Sequence, residues 1–433
     1  MIIGGLIDVI KINLNKSPFS KNFLTLFSGS IIAQIIPIIA SPFIARLFPP
    51  TEFGLLAIFT AIESFLLIFS SMQYELAIML PEDDSEAFHL LILSLLITIF
   101  VSAISALTIL FFNKNIAILL NSPELAGWLF LIPIEILILG SFKSLNVWAS
   151  RYKKYRRISF RQITQSITQS VAKIIFGLLN FISGGLIVGM ILGEFTSTLG
   201  LCRSTLKEDK KFFYKIDIKK IIQLAKKYDQ FPKYSSPHGF IDIFSKNGII
   251  FIINHFFSAS VLGLFSFANN LLRKPLLLIG NNIRQVFFQS ASEKYRNDKT
   301  KLWPFTKKII LYLFLGGIIL FLPLLFWGPQ IFAYVFGERW KEAGVYSQYL
   351  TPWLLMNFVL SPISSVPMIL GQQKIYFFIT TINNVGIPII MIILFFNNFN
   401  LITALIYISI FVIGFSFYTV LWIKKICTIK DQI

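Results

Sequence analysis

Long apolar segments alternate with short polar ones along almost the whole sequence. Twelve apolar segments are long enough to cross a membrane, because a spanning helix needs about 20 predominantly apolar residues. We therefore predict an all-α polytopic membrane protein with twelve transmembrane helices. The predicted spans 1 to 12 cover residues 22–47, 52–80, 87–112, 124–149, 161–182, 184–202, 234–257, 261–291, 309–327, 343–370, 375–396 and 400–423.

The composition favours the same class. Of the 433 residues, 55% are hydrophobic and 14% are charged, whereas about 25% of the residues in a soluble domain are charged. A net charge of +18 would suggest a nucleic-acid partner in a soluble protein. Here most of the basic residues lie in loops between spans, so we expect no nucleic-acid partner.

The basic residues are distributed unevenly between the two sides of the membrane. When successive loops alternate sides, 29 Lys and Arg lie on the side that holds both termini, and three lie on the opposite side. Cytoplasmic loops carry the excess of Lys and Arg in membrane proteins. The sequence thus predicts that both termini are cytoplasmic.

One long polar segment divides the chain. Residues Arg203 to Lys233 contain ten Lys and Arg and four Asp and Glu, with apolar sequence of similar length on either side. We interpret 204–233 as a basic, solvated cytoplasmic linker. It would join an N-terminal six-helix lobe, residues 1–203, to a C-terminal six-helix lobe with a cytoplasmic tail, residues 234–433.

The two predicted lobes share a short echo at the join between their first two spans. Phe48 lies six residues before the pair Gly54-Leu55, and Phe257 lies six residues before the pair Gly263-Leu264, an offset of 209 residues. Six spans per lobe give both lobes the same sense in the membrane. We expect a repeat related by rotation about the membrane normal, with a substrate site between the lobes near the midplane.

Polar residues recur at helical spacing on three predicted spans. A polar stripe on an apolar helix cannot face lipid, so it must face protein or water. Together the three stripes predict a hydrated cleft. The stripes are Ser30, Gln34, Pro37 and Ser41 on span 1, Gln162, Gln165, Gln169 and Lys173 on span 5, and Ser266, Asn270, Arg273, Asn281 and Arg284 on span 8.

Charged residues inside spans are the candidates for a site, because burying a charge in a membrane costs several kcal/mol and marks function. Structural ion pairs are the alternative, above all for Asp242 with Lys246 at i and i+4 and for Glu135 with Lys143. Arg46 could instead extend to the interface. The cationic substrate-binding candidates are Arg46, Lys143, Lys173, Lys246, Arg273 and Arg284. The candidates for charge balance or ion coupling are Glu63, Glu135, Glu194 and Asp242.

The motifs of enzymes are missing from the sequence. It contains no Walker loop, no Gly-x-Ser-x-Gly and no zinc-spaced His/Cys set. The longest predicted outer loop, Gly328–Glu342, has 15 residues, which is small for a membrane polymerase or glycosyltransferase. We expect neither catalytic residues nor a metal or cofactor.

Four segments together resemble the polysaccharide transporter family, the Wzx-type O-antigen and teichuronic-acid flippases of the multidrug/oligosaccharidyl-lipid/polysaccharide (MOP) superfamily. The resemblance rests on their order and spacing and covers nearly the whole chain. The segments are Leu24–Gly29, Ala45–Phe48 with Glu52–Gly54, Leu80–Ala87 and Val261–Ser266.

The resemblance implies a multi-pass protein of the bacterial cytoplasmic (inner) membrane with two six-helix lobes in a V shape. It implies a flippase for an undecaprenyl-diphosphate-linked oligosaccharide that works by alternating access. It also implies a positively charged cavity, contact with membrane lipids, and polysaccharide polymerase and chain-length proteins as partners. Three alternatives stay open: a cation-coupled drug antiporter of the same superfamily, a major-facilitator-type porter, and a scaffold for a polysaccharide synthase. The loop Pro81–Glu86 lacks the Gly- and Arg-rich motif of major-facilitator porters.

The charge distribution predicts which loops are accessible from outside the cell. Single cysteines at Asn121 and Asn398 should react with an impermeant maleimide in intact cells. Single cysteines at Lys154 and Lys299 should react only after permeabilisation. External labelling of either lysine position would show that the orientation is wrong.

Overall fold

The computed structural model describes residues 18–209 and 216–429. In these ranges twelve helices contain 20 residues or more, one for each predicted span, which confirms the all-α polytopic class. They are α1 (Pro18–Leu47), α2 (Pro50–Phe69), α3 (Asp84–Leu119), α4 (Ile132–Arg151), α5 (Tyr155–Leu178), α6 (Gly185–Glu208), α7 (Ser236–Phe256), α8 (Ala259–Asn297), α9 (Leu302–Phe336), α10 (Lys341–Ile363), α11 (Gln373–Phe396) and α12 (Leu401–Ile429).

Nine of the described helices are long and apolar enough to cross a membrane by themselves. The other three are α5, α7 and α8, which carry many of the polar side chains found in the predicted spans. Such helices need neighbours that cover their polar faces, since lipid offers no hydrogen bonds. Two of these three helices, α5 and α8, carry predicted polar stripes, so their stripes mark helices that depend on tertiary packing.

Span 2 is shorter than the sequence predicted. The helix α2 ends at Phe69, and Met72 and Gln73 adopt left-handed backbone conformations with φ of 50° and 62° before a short helix, Tyr74–Ala77. The Ser70 hydroxyl donates to the Leu67 carbonyl oxygen at 2.7 Å. The left-handed conformations of Met72 and Gln73 are incompatible with a right-handed helix, so the chain turns here.

The turn after α2 buries an ion pair. Glu75 is fully buried, and its carboxylate lies 2.5 Å from the Lys143 ammonium group on α4. The Ser71 hydroxyl also donates to Glu75. The sequence had paired Lys143 with Glu135 on the same helix, but the structure gives it Glu75 as its salt-bridge partner.

Contacts divide the chain into two compact units, residues 15–263 and 264–433, which we call the N-terminal and C-terminal units. The helix α8 runs across the division. Helix α7, which the sequence assigned to the second lobe, packs in this structure against α2. The Phe65 ring lies 5.4 Å from the Phe240 ring and 5.7 Å from the Phe251 ring. The boundaries drawn from the sequence remain a prediction about the repeat.

The basic linker is not wholly solvated, contrary to the sequence interpretation. A short helix at Ile218–Lys227, the linker helix, buries Ile221 and Leu224 in a core that includes Phe88 and Trp148. Alternation of Lys and apolar residues at helical spacing produces this apolar face. Part of the linker thus belongs structurally to the N-terminal unit.

Ion pairs complement the packing of the linker helix. The Lys220 ammonium lies 3.5 Å from the Asp83 carboxylate, and the Lys227 ammonium lies 3.2 Å from the Glu86 carboxylate. The backbone N–H of Ser85 and the Lys220 ammonium hold the pKa of Asp83 below its usual value. The hydrogen bond from Lys227 to Glu86 raises the pKa of that lysine. Acidic residues just before α3 and in its first turn therefore form ion pairs with basic residues of the linker helix.

The Glu75–Lys143 pair predicts a specific stability phenotype. Lys143→Met should lower the free energy of unfolding by about 3 kcal/mol, the lower end for buried pairs, because a fully buried carboxylate loses its cation. The Lys143 side chain is 33% exposed, which keeps the loss at that lower end. Thermal unfolding of purified variants would measure the effect.

The double variant Lys143→Met with Glu75→Gln should recover most of this loss, because both charges are then removed. The single variant Glu75→Gln completes a double-mutant cycle for the two side chains. Additive losses in the double variant would mean that the two side chains are not coupled.

Candidate functional site

The polar stripe of α5 lies between α1 and α6 in the N-terminal unit. The Ser30 hydroxyl on α1 donates to the side-chain oxygen of Gln162 at 3.0 Å, and the Ser197 hydroxyl on α6 donates to that of Gln165 at 3.4 Å. The stripe thus faces protein, one of the two environments that the sequence predicted for it.

Lys173, at the end of this stripe, is buried with 9% of its surface exposed. A Cβ added to Gly189 of α6 would lie 2.6 Å from the Cγ of Lys173. A Cβ added to Gly193 would lie 2.7 Å from the Cβ of Gln169. Small residues at this spacing allow two membrane helices to approach closely. The glycine face of α6 therefore accommodates the side chains of the α5 stripe.

Two acidic candidates lie close together in the same unit. Glu63 on α2 is 7% exposed and Glu135 on α4 is 0% exposed. The charge of Glu63 acts directly on Glu135. Both carboxylate oxygens of Glu135 are enclosed with no hydrogen-bond partner in the described part of the chain. Two carboxylates in such a place are costly unless a proton or a cation accompanies them.

Glu194 on α6 is a third acidic side chain of this unit. One of its carboxylate oxygens is also buried with no hydrogen-bond partner among the described residues. One turn later, the Thr198 hydroxyl donates to the Ile138 carbonyl oxygen of α4 at 3.3 Å. Within residues 18–209 and 216–429, no three acidic, His or Cys side chains are grouped to hold a metal ion.

Arg284 is the cationic candidate for which the structure shows new neighbours in the C-terminal unit. The Tyr376 phenol on α11 has Ser364 and the charged Arg284 of α8 in its neighbourhood. The Tyr376 ring stacks on Trp422 of α12 with centroids 6.2 Å apart and planes at 12°. A guanidinium beside hydroxyl groups can bind a phosphate oxygen.

Sequence reasoning did not find Ser364, Tyr376 or Trp422. Each lies on a different stretch of chain, and a stripe on one helix does not report which side chains neighbouring helices bring to it. The sequence offered one signal for Tyr376 and Trp422, which is that both are aromatic residues near span ends. Such residues usually anchor a helix at the membrane interface, so the signal did not point to a site.

The remaining candidates are distributed over both units. Arg46 lies in the last turn of α1, Asp242 lies in α7, and Arg273 lies in the part of α8 that belongs to the C-terminal unit. The side chain of Lys246 lies outside the described residues. Lys143, as shown above, binds Glu75. That Arg46, Lys246 and Arg273 line a substrate cavity therefore stays a prediction.

Comparisons with known proteins place the chain in a family. The profile described as "Polysaccharide biosynthesis protein" matches residues 43–345, which is more than half of the chain. No curated protein sequence matches the chain.

Solved structures show the fold. An inward-facing multidrug resistance MATE family transporter of the MOP superfamily is 13% identical, with a TM-score of 0.61 over 92% of this chain and 96% of that chain. A MATE in complex with MaL6 is 15% identical, with a TM-score of 0.61 over 97% and 98% of the two chains.

A third solved structure is a MOP superfamily transporter from Pyrococcus furiosus, whose description reports a reversed polarity of the binding pocket. It is 12% identical, with a TM-score of 0.54 over 96% of this chain and 97% of that chain. Identities this low show the fold alone. The profile match over most of the chain and the MATE-like fold agree with the family and the fold that the sequence resemblance implies. The chain therefore belongs to the polysaccharide biosynthesis protein family and is a multi-pass membrane protein with a MATE-like fold.

Proposed function

We propose that this transporter moves an undecaprenyl-diphosphate-linked oligosaccharide from the inner to the outer leaflet of the bacterial cytoplasmic membrane. The observation that supports this most strongly is the profile match to the polysaccharide biosynthesis family over residues 43–345. The 29-to-3 distribution of Lys and Arg supports an orientation with both termini in the cytoplasm.

The physical task is to carry a charged, sugar-bearing head group across about 30 Å of hydrocarbon. Transfer of the bare diphosphate through lipid, without the protein, would have a prohibitive free-energy cost because the charge loses its water. A polar path inside the protein replaces the water around the head group, while the polyprenyl tail stays in lipid. Alternating access of the two lobes to the two sides then completes the transfer.

Cationic side chains on this path would bind the diphosphate. Arg273 and Lys173 are our primary candidates, since both lie on polar stripes. Arg284, with the hydroxyl groups of Tyr376 and Ser364 beside it, would bind the head group nearer the cytoplasmic side. Arg offers two parallel hydrogen bonds to a phosphate, whereas Lys offers a single charge. Arg46 and Lys246 are further candidates of the same class.

Acidic side chains would balance these charges or carry a coupling ion. Glu63 and Glu135 form the best-placed pair, because both are buried and the charge of Glu63 is near enough to act on Glu135. Uptake and release of a proton or a cation at this pair would couple an ion gradient to transport. Glu194 and Asp242 are the remaining acidic candidates.

Protein partners follow from the proposed substrate. A polysaccharide polymerase and chain-length proteins act on the same lipid-linked units after they reach the outer leaflet. We propose these proteins as partners on the outer side, with membrane lipids in contact with the apolar helix faces.

The cationic candidates predict a defect in export without a defect in folding. Arg273→Ala and Lys173→Ala should reach the membrane at normal levels but fail to restore surface polysaccharide in a deletion strain, because the diphosphate loses its partners. Arg273→Lys should be partly active, since it keeps the charge and loses the paired hydrogen bonds. Surface polysaccharide and membrane abundance are measured together.

Lys299→Ala, in the cytoplasmic turn between α8 and α9, is the matched control and should export normally. Normal export by the Arg273 and Lys173 variants would refute their role in binding. Loss of these variants from the membrane would show that the two side chains hold the helices together.

A second candidate function is a cation-coupled drug antiporter of the same superfamily, which the buried pair of Glu63 and Glu135 favours. The Pyrococcus furiosus transporter, for which a reversed pocket polarity is described, suggests that pocket charge distinguishes functions on this fold. The family match and the fold together favour the flippase and the antiporter over a major-facilitator porter or a scaffold.

Deletion of the gene distinguishes the two functions. A flippase predicts accumulation of a lipid-linked oligosaccharide and loss of surface polysaccharide, with unchanged sensitivity to cationic drugs. An antiporter predicts increased sensitivity to cationic drugs, with unchanged lipid-linked oligosaccharide and surface polysaccharide. Glu63→Gln with Glu135→Gln should then reproduce the drug sensitivity. Thin-layer analysis of lipid-linked sugars and drug susceptibility tests give the two readouts.

A further inference from the structure

The linker helix, Ile218–Lys227, has two apolar surfaces with different surroundings. Ile221 and Leu224 are buried in the core of the N-terminal unit. Ile218 and Ile222 lie one turn apart on a neighbouring strip of the helix and are 72% and 52% exposed. Side chains at i and i+4 are neighbours on a helix surface, so the two isoleucines form one apolar strip. The described residues leave more than half of this strip uncovered.

The four lysines of the linker helix divide into two pairs. Lys220 and Lys227 form ion pairs with acidic residues of α3 and of the turn before it. Lys219 and Lys226 lie two turns apart, next to the isoleucine strip, and both are exposed. Among the described residues, neither of them has a carboxylate within ion-pair distance. The helix itself contains no acidic residue, so this pair of lysines is available to an anion outside the protein.

The contacts of the linker helix place it at one end of a membrane-spanning helix. The backbone N–H of Asp217 donates to Nε2 of His89 on α3 at 3.1 Å, and Lys227 binds Glu86. Glu86 and His89 are about 5 Å apart along the axis of α3, whereas Asp217 and Lys227 are about 15 Å apart along the linker helix. The linker helix therefore lies across α3, at the end where this span begins.

We propose that the exposed face of the linker helix binds anionic phospholipids of the leaflet at this end of α3, which the charge distribution predicts to be the cytoplasmic leaflet. The face is formed by Ile218, Lys219, Ile222 and Lys226. An amphipathic helix in the interface buries its apolar strip at the boundary of head groups and acyl chains. Lysines beside the strip reach the lipid phosphates.

Charge complementarity is what selects an anionic lipid as the ligand. Each lysine close to a negatively charged membrane surface strengthens binding, whereas an apolar strip of two isoleucines buries little area by itself. The remaining acidic side chain near the strip, Asp229, is already paired with Lys233 at 2.6 Å. The proposal concerns the membrane and not the cargo, so it goes beyond the proposed function and holds for the flippase and the antiporter alike.

The first test locates the apolar strip relative to the bilayer. Ile222→Cys, in full-length protein with Cys202→Ala and Cys427→Ala, is labelled with an environment-sensitive fluorophore and reconstituted into vesicles. Phospholipids with a nitroxide near the head group should quench this probe about twofold more strongly in vesicles with phosphatidylglycerol than in phosphatidylcholine alone, because the lysines draw the helix to anionic lipid. Aqueous acrylamide should show the opposite dependence on lipid.

The matched control is a probe at Gln223→Cys, which is exposed and lies a quarter of a turn or more away from the strip. Acrylamide should quench this probe equally in both kinds of vesicle. Strong acrylamide quenching at both positions in phosphatidylglycerol vesicles would overturn the proposal. A probe at residue 222 that is exposed in these vesicles but shielded in native membranes would also overturn it, since a protein would then cover the strip.

The second test removes the charges that the proposal assigns to lipid. Lys219→Gln with Lys226→Gln, in the protein labelled at residue 222, should abolish the difference between the two kinds of vesicle. High salt should reduce the same difference, because it screens exposed charges. The control pair Lys299→Gln with Lys307→Gln removes two exposed lysines elsewhere in the chain and should leave the difference unchanged. A dependence on phosphatidylglycerol that survives the loss of Lys219 and Lys226 would overturn the assignment.

Discussion

The absence of hydrogen-bond partners in hydrocarbon is the constraint from which the rest of this structure follows. Every backbone amide must be satisfied within its own segment, which is why the described chain is almost entirely helical. Polar side chains must find each other across helices for the same reason. Gln162 meets Ser30, and Lys143 meets Glu75. The polar helices α5, α7 and α8 are thus stable in the membrane only as parts of an assembly.

The same constraint bears on the function that we propose. A diphosphate head group would need a path in which protein groups replace water, and the candidate anionic and cationic side chains are described in different units of the chain. The buried pair of Glu63 and Glu135 lies in the N-terminal unit. Arg284, with Tyr376 and Ser364, lies in the C-terminal unit.

Glycine serves two different purposes in the packing of these helices. Along α6, Gly189 and Gly193 receive the side chains of Lys173 and Gln169, so that contact interlocks. At the start of α2 and α8, Gly54 and Gly263 instead have backbone atoms as their nearest neighbours. Glycine thus makes room for side chains in one place and for a close approach of two backbones in the other. Packing density alone would not distinguish the two.

The sequence by itself determined the number and order of the membrane helices, the all-α class, the family and the echo at Gly54 and Gly263. These features depend on hydropathy, charge and short motifs, which act segment by segment. Only the tertiary structure decided that Lys143 binds Glu75, that α2 stops at Phe69, that α7 packs on α2 and that Tyr376 stands beside Arg284. Those outcomes depend on which faces of different helices meet, and the periodicity of a single helix carries no information about its neighbours.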